Sequence, residues 1–149
     1  ADLAESKLFG YEYQVAECLM QIWLSLLQNF RPDAAKKTVV SRARNDAVAR
    51  AIMTYVQAHY KEEITIDAIA EAVHYSPGEC CRLFKRVTHD TIFSYIRLYR
   101  ITQASKLLRE TGLSVEDIAT ECGFASASYF ISAFKKCLKT TPLRYRNGA

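Results

Sequence analysis

Glycine and proline are scarce in this chain, five and three among 149 residues, as expected of a helical protein. No segment alternates polar and apolar residues over a convincing length, so no sheet is expected. There is no run of about 18 uncharged apolar residues, so no membrane span is read. No secretory leader is read in the first residues, although the chain opens with Ala rather than Met, as a piece of a longer protein would. The cysteines, Cys18, Cys80, Cys81, Cys122 and Cys137, are odd in number and form no CxxC pair. A disulfide framework is therefore not expected, and the redox environment expected is cytoplasmic. No phosphate-cradling glycine loop occurs, and His59, His74 and His89 lack a nucleophile or carboxylate partner in any recognisable motif. No enzyme and no cofactor are expected.

Charge is uneven. Residues 1–30 hold one Lys against four acids, whereas residues 31–149 hold 19 basic and 12 acidic residues. A basic body behind an acidic segment suits a polyanionic partner, although a solvated mixed surface gives the same balance. A length of 149 residues suits one domain, or two very small ones sharing a core.

The chain also repeats itself. Residues 65–95 return in altered form at 114–145, with an offset of 49 up to a turn and 50 after it. Thr65-Ile66-Asp67-Ala68-Ile69-Ala70 answers Ser114-Val115-Glu116-Asp117-Ile118-Ala119. Leu83-Phe84-Lys85-Arg86 answers Ala133-Phe134-Lys135-Lys136. Each copy reads as a helix-turn-helix. Thr65 and Ser114 cap a first helix, whose small Ala70 or Ala119 lets a second helix cross closely. His74-Tyr75 and Gly123 make the turns. Ser76-Pro77-Gly78-Glu79 has the form of a capping box with proline at the first helical position, and Ser126 starts the last reading helix. Between the copies, 91–109 reads as one long helix with Phe93, Ile96, Ile101, Ala104, Leu107 and Leu108 apolar, ended by a left-handed Gly112. Before them, Asn45 or Asp46 is expected to cap a helix running to about Tyr60, with Val48, Ile52, Tyr55, Val56 and His59 inward. Residues 31–44 read as a linker, stopped by Arg31-Pro32-Asp33 and carrying Lys36, Lys37, Arg42 and Arg44 as exposed charges able to touch phosphates.

Residues 1–30 read as an amphipathic helix. Leu8, Tyr11, Val15, Cys18, Leu19, Ile22, Trp23, Leu26, Leu27 and Phe30 form its apolar stripe. That stripe must pack on the basic body, on a further domain, or on a second copy in a homodimer.

The outward faces of the second helices follow by subtraction. With Cys80, Leu83, Phe84 and Val87 inward, the first exposes Gly78, Glu79, Cys81, Arg82, Lys85 and Arg86. Arg82 can donate two hydrogen bonds to a guanine, Lys85 and Arg86 suit phosphates, and Gly78 permits close backbone approach. With Phe130, Ala133, Phe134 and Cys137 inward, the second leaves Ala127, Ser128, Tyr129, Ile131, Ser132, Lys135 and Lys136 outside or at the rim. No Arg, Gln or Asn lies on that face, so its direct reading of bases is expected to be weak.

These blocks, with Tyr95-Ile96-Arg97-Leu98-Tyr99-Arg100-Ile101-Thr102-Gln103-Ala104 and Thr141-Pro142…Tyr145-Arg146, resemble the DNA-binding domain of the AraC/XylS transcription regulators over residues 46–146. The resemblance implies two three-helix subdomains joined by the helix 91–109, in an all-α fold. Their reading helices would enter successive major-groove segments, about 34 Å apart along one face of double-stranded promoter DNA. It implies base contacts at Gly78, Cys81 and Arg82 in the first reader, and at Ala127, Ser128, Tyr129 and Ser132 in the second. Ser132 stands where the family often has Arg, and His89 and Ile92 replace its Gly and Pro after the first reader. A regulator of this kind recruits or blocks RNA polymerase. The rival readings are a cysteine-based metal or redox sensor and a protein-interaction module. Against the sensor, Cys80, Cys122 and Cys137 fall on expected core faces and no short-loop ligand pair exists, so no metal site is expected.

Overall fold

The computed structural model describes Met20 and residues 36–148. The apolar stripe read at residues 1–30 lies wholly outside the described residues. Seven helices and no strand occur among the described residues: α1 (Lys36–His59), α2 (Ile66–Val73), α3 (Pro77–Thr88), α4 (Ile92–Glu110), α5 (Val115–Glu121), α6 (Ala127–Leu138) and α7 (Pro142–Arg146). Residues 43–147 form one compact unit that holds both repeats.

The expected start of the first helix is overturned. Asn45 and Asp46 cap nothing; they sit half-buried inside α1, which is already helical at Lys36. No Gly or Pro occurs between Lys36 and His59, and Lys, Arg and Ala there are good helix formers, so nothing local stops the helix earlier. Ile52 and Val56 are fully buried, and Val48 and Tyr55 pack at the edge of the core. His59 stays 42% exposed, stacked on Tyr55 and paired with Glu62.

The caps of the repeats fall where the sequence puts them. The hydroxyls of Thr65, Ser114 and Ser126 accept the backbone N–H of Ala68, Asp117 and Tyr129. Ser76 and Glu79 close both arms of the capping box. The end of α4 differs from expectation. Gly112 is not left-handed; Thr111 closes the helix with φ −130°, its hydroxyl donating to the Leu107 carbonyl at 2.7 Å. The Arg146 guanidinium donates to the Leu108 and Leu113 carbonyls. That fork satisfies the Leu108 carbonyl of the last helical turn, which a left-handed glycine otherwise covers, and ties the following loop to α7 through the Leu113 carbonyl.

Two cores result. Ile52, Val56, Ile69, Ala70, Cys80, Leu83 and Phe84 fill the first, and Ile118, Ala119, Cys122, Phe130, Ala133 and Phe134 the second. The α4 helix serves both. It gives Ile92 and Ile96 to the first core, then Ile101, Ala104 and Leu108 to the second. At about 100° per residue, those two sets face roughly 130° apart. One helix thus buries two faces and has no single apolar stripe. Phe93, one step around from Ile92, is 57% exposed, and its counterpart Leu143 is 59% exposed.

Candidate nucleic-acid interface

Each reading helix is held by the turn before it. In the first copy, the N–H of Tyr75 donates to the Ala70 carbonyl and that of His74 to Glu71. In the second, Phe124 donates to Ala119 and Gly123 to Thr120. Both are helix ends with a left-handed residue, His74 at φ 58° and Gly123 at φ 75°. The turn drops the chain by a fixed angle into α3 or α6. The copies even share left-handed ends after the reading helices, at His89 and Lys139. The left-handed conformation at His74, His89 and Lys139 was not legible in the sequence, because non-glycine residues adopt it uncommonly and no Gly or Asn marks these helix ends.

Along α3, Cys80, Leu83 and Phe84 are buried, whereas Gly78, Glu79, Cys81, Arg82, Lys85 and Arg86 are exposed together on the opposite side. A Cβ at Gly78 would meet nothing within 4 Å, so the fold does not require glycine there. The Glu79 carboxylate is committed to the cap: it accepts the Ser76 hydroxyl at 2.8 Å and the Ser76 amide at 3.4 Å. Those bonds, helped by Arg82 and Arg44, hold its pKa below the ordinary carboxylate value.

Along α6, Phe130, Ala133 and Phe134 are buried, and Ser128, Tyr129, Ser132, Lys135 and Lys136 are exposed. Ala127 is half-buried against the second core rather than fully outside. Tyr129 leans on Phe124 with ring centroids 6.0 Å apart, which fixes its ring while leaving it 51% exposed.

One basic residue gains a definite place that sequence reading gave only as a loose linker charge. Arg44, in α1, donates from Nε to the Tyr75 hydroxyl at 2.9 Å, and its guanidinium lies 5.9 Å from that ring's centroid. This sets a cation beside the N-terminal cap of α3. The signal was present in the basic run 42–44; reading that run as linker hid the helix that aims it.

The remaining polar candidates have structural roles. His74 and His89 occupy helix ends, and His59 pairs with Glu62. Cys80 belongs to the first core and Cys122 to the second. Burial pushes the Cys122 thiol up to about 11, which leaves almost no thiolate near neutral pH. Among the described residues, no group of three or more His, Cys, Asp or Glu could hold a metal ion. No helix among them is long and apolar enough to cross a membrane.

A family model described as a helix-turn-helix domain matches residues 69–148. The uncharacterized HTH-type transcriptional regulator YdeC of Bacillus subtilis (strain 168) is 32% identical over 145 residues, 97% of this chain and 48% of that protein. A crystal structure of a transcriptional regulator with an AraC-type DNA-binding domain, from Chromobacterium violaceum, superposes with a TM-score of 0.66 at 28% identity, covering 70% of this chain and 94% of that one. The chain belongs to the AraC/XylS family. As an AraC/XylS member it carries the paired helix-turn-helix module by which these transcription regulators bind DNA. Its family also includes proteins with a second activity: the bifunctional transcriptional activator/DNA repair enzyme AdaA of Bacillus subtilis (strain 168) is 34% identical over 122 residues, 82% of this chain and 58% of that protein. The chain spans about half the length of these curated relatives.

Proposed function

We propose that this AraC/XylS chain is the DNA-reading part of a cytoplasmic transcription regulator that places α3 and α6 in adjacent major-groove segments of one promoter duplex. The observation that carries this reading is the pair of exposed helices bearing cations at matching repeat positions, Lys85 with Lys135 and Arg86 with Lys136. Phosphate neutralisation by such pairs supplies affinity without sequence preference. Preference comes mainly from α3, where Arg82 offers a planar fork to guanine and Gly78 and Cys81 leave room for close approach. Ser128, Tyr129 and Ser132 of α6 bond backbone or a base edge, and Ala127 presents only a methyl group. Glu79 serves the fold through its cap. The chain itself performs no catalysis, and it acts on RNA polymerase through contact or occlusion at the promoter. Residues 1–30 hold two copies together.

The deciding experiment is selection from a random duplex library at a stated salt concentration. Recovery of a sequence with two preferred blocks about 10 base pairs apart is expected. Recovery of no enriched sequence, with binding that depends on salt alone, would reject sequence-specific regulation. Sedimentation of the chain with and without residues 1–30 tests the dimer: loss of the dimer on truncation is expected, and an unchanged dimer rejects that role.

A further inference from the structure

The two reading units touch at a point away from the helix they share. The segment 60–62, just past the end of α1, belongs to the first unit. Arg100, near the place where α4 changes its buried face, grips that segment: Nε donates to the Tyr60 carbonyl at 2.8 Å and Nη2 to the Glu62 carbonyl at 2.7 Å. The other side of the same segment meets the turn of the second unit. A Cβ at Gly123 would lie 2.5 Å from the Tyr60 carbonyl oxygen and 2.8 Å from that of Lys61. Lys61 Nζ pairs with Glu121 at 3.2 Å, and Tyr60 meets Tyr99 edge-on at 5.2 Å.

The mechanics follow from this geometry. A single helix joining two units resists stretching but leaves bending and twisting soft. A second contact off the helix axis converts the join into a braced frame. The brace here is made of backbone atoms held by a guanidinium fork, whose two donors fix direction as well as distance. Glycine at 123 is what lets the second turn come that close.

We propose that Arg100 and Gly123 are positioning residues for DNA recognition: they lock α3 against α6 so that the protein accepts one spacing between its two DNA segments. The proposal rests on the two-segment reading above. Neither residue touches DNA in this scheme. They act by denying the module the freedom to follow a longer or shorter site.

The test uses the full chain and the duplex recovered from the random library. One base pair is inserted or removed between its two preferred blocks, which moves the second block by ~3.4 Å and turns it by roughly 35°. A third duplex keeps one block and scrambles the other. Wild type is expected to lose about tenfold or more in affinity on the respaced duplexes, whereas Arg100→Ala is expected to lose less than about threefold. On the half-scrambled duplex the two proteins should bind alike, which separates a loosened frame from a damaged fold. Arg100→Lys keeps the charge but not the fork, and it should behave as Arg100→Ala does. Wild-type strictness in either variant overturns the proposal. So does tolerance of respacing by the wild type, or a parallel loss on the half-scrambled duplex. Failure to recover any preferred duplex with wild type instead strikes at the two-segment reading itself.

Discussion

His74 and Gly123 hold the same place in the two repeats and nearly the same backbone conformation, yet only one of them needs to be glycine. Both end a short helix at positive φ. Behind Gly123 stand two carbonyls that leave no room for a Cβ, whereas the His74 side chain is exposed. The repeat therefore conserves a turn geometry, and the neighbouring unit decides which side chain it can bear. The reading faces differ in the same manner. The cores under α3 and α6 share one phenylalanine, Phe84 with Phe134, while Phe130 stands where the first has Cys80 and Ala133 where it has Leu83. Their outer faces share only the basic end: Arg82 of the first faces Ser132 of the second. Scaffold and phosphate grip are duplicated, whereas the base-facing side chains differ: an arginine in α3, short hydroxyls and a tyrosine in α6.

The hardest blow to this parallel is in the cores. Phe84→Ala and Phe134→Ala should each cost about 3–5 kcal/mol in urea unfolding, because both rings are fully enclosed. A twofold disparity between them would show that one half is much better able to collapse around the loss. Next comes the turn. Gly123→Ala should cost more than about 2 kcal/mol, combining left-handed strain with displaced carbonyls, while His74→Gly should change stability by less than about 1 kcal/mol. Equal effects would mean that the Gly123 contact with residues 60–61 is unimportant.

The outer faces give smaller differences. Arg82→Ala should cost about 1–3 kcal/mol on the preferred duplex and relax one base pair, while Ser132→Ala should cost at most about 1 kcal/mol on every duplex alike. A uniform loss for Arg82→Ala assigns it to phosphate instead. By contrast, Lys85→Ala and Lys135→Ala should behave as twins, each reducing the salt slope by about one. Unequal slopes would break the equivalence of the two basic ends.

The smallest effect concerns a residue the repeat does not match: Cys122 stands where the first copy has Val73. Burial raises the Cys122 thiol from 9.0 to about 11, so the folded chain holds this proton more tightly than the unfolded chain. The resulting stabilisation is complete below about pH 9 and is lost as pH rises toward 11. Unfolding followed between pH 8 and 11 should show a shallower alkaline decline in Cys122→Val. Buried Cys80 and half-buried Tyr95 and Tyr99 share the direction and leave part of the decline in place.

Much of this organisation was legible beforehand. Caps are local chemistry, so Thr65, Ser76, Ser114 and Ser126 declare helix starts by their own hydrogen-bonding needs. Core and surface sides of α3 and α6 follow from helical period, since Phe84 and Phe134 must leave water and Lys85 and Lys135 must not. The start of α1 was misread because Asn45 and Asp46 are good caps in isolation, and nothing local says that the residues before them are helical too. The end of α4 was misread for a related reason. Gly112 is a local stop signal, but Arg146, distant in sequence, satisfies the Leu108 carbonyl instead.

The sequence alone therefore determined the repeat, the helical class, the capped starts and the exposed basic rims, because each depends on interactions within about one helical turn. Only the tertiary structure decided that α4 buries two different faces, that Arg44 sits beside the cap of α3, and that Arg100 and Gly123 close on residues 60–62. Those outcomes need groups from separate helices to meet, and a carbonyl's partner forty residues away leaves no periodic trace in the chain.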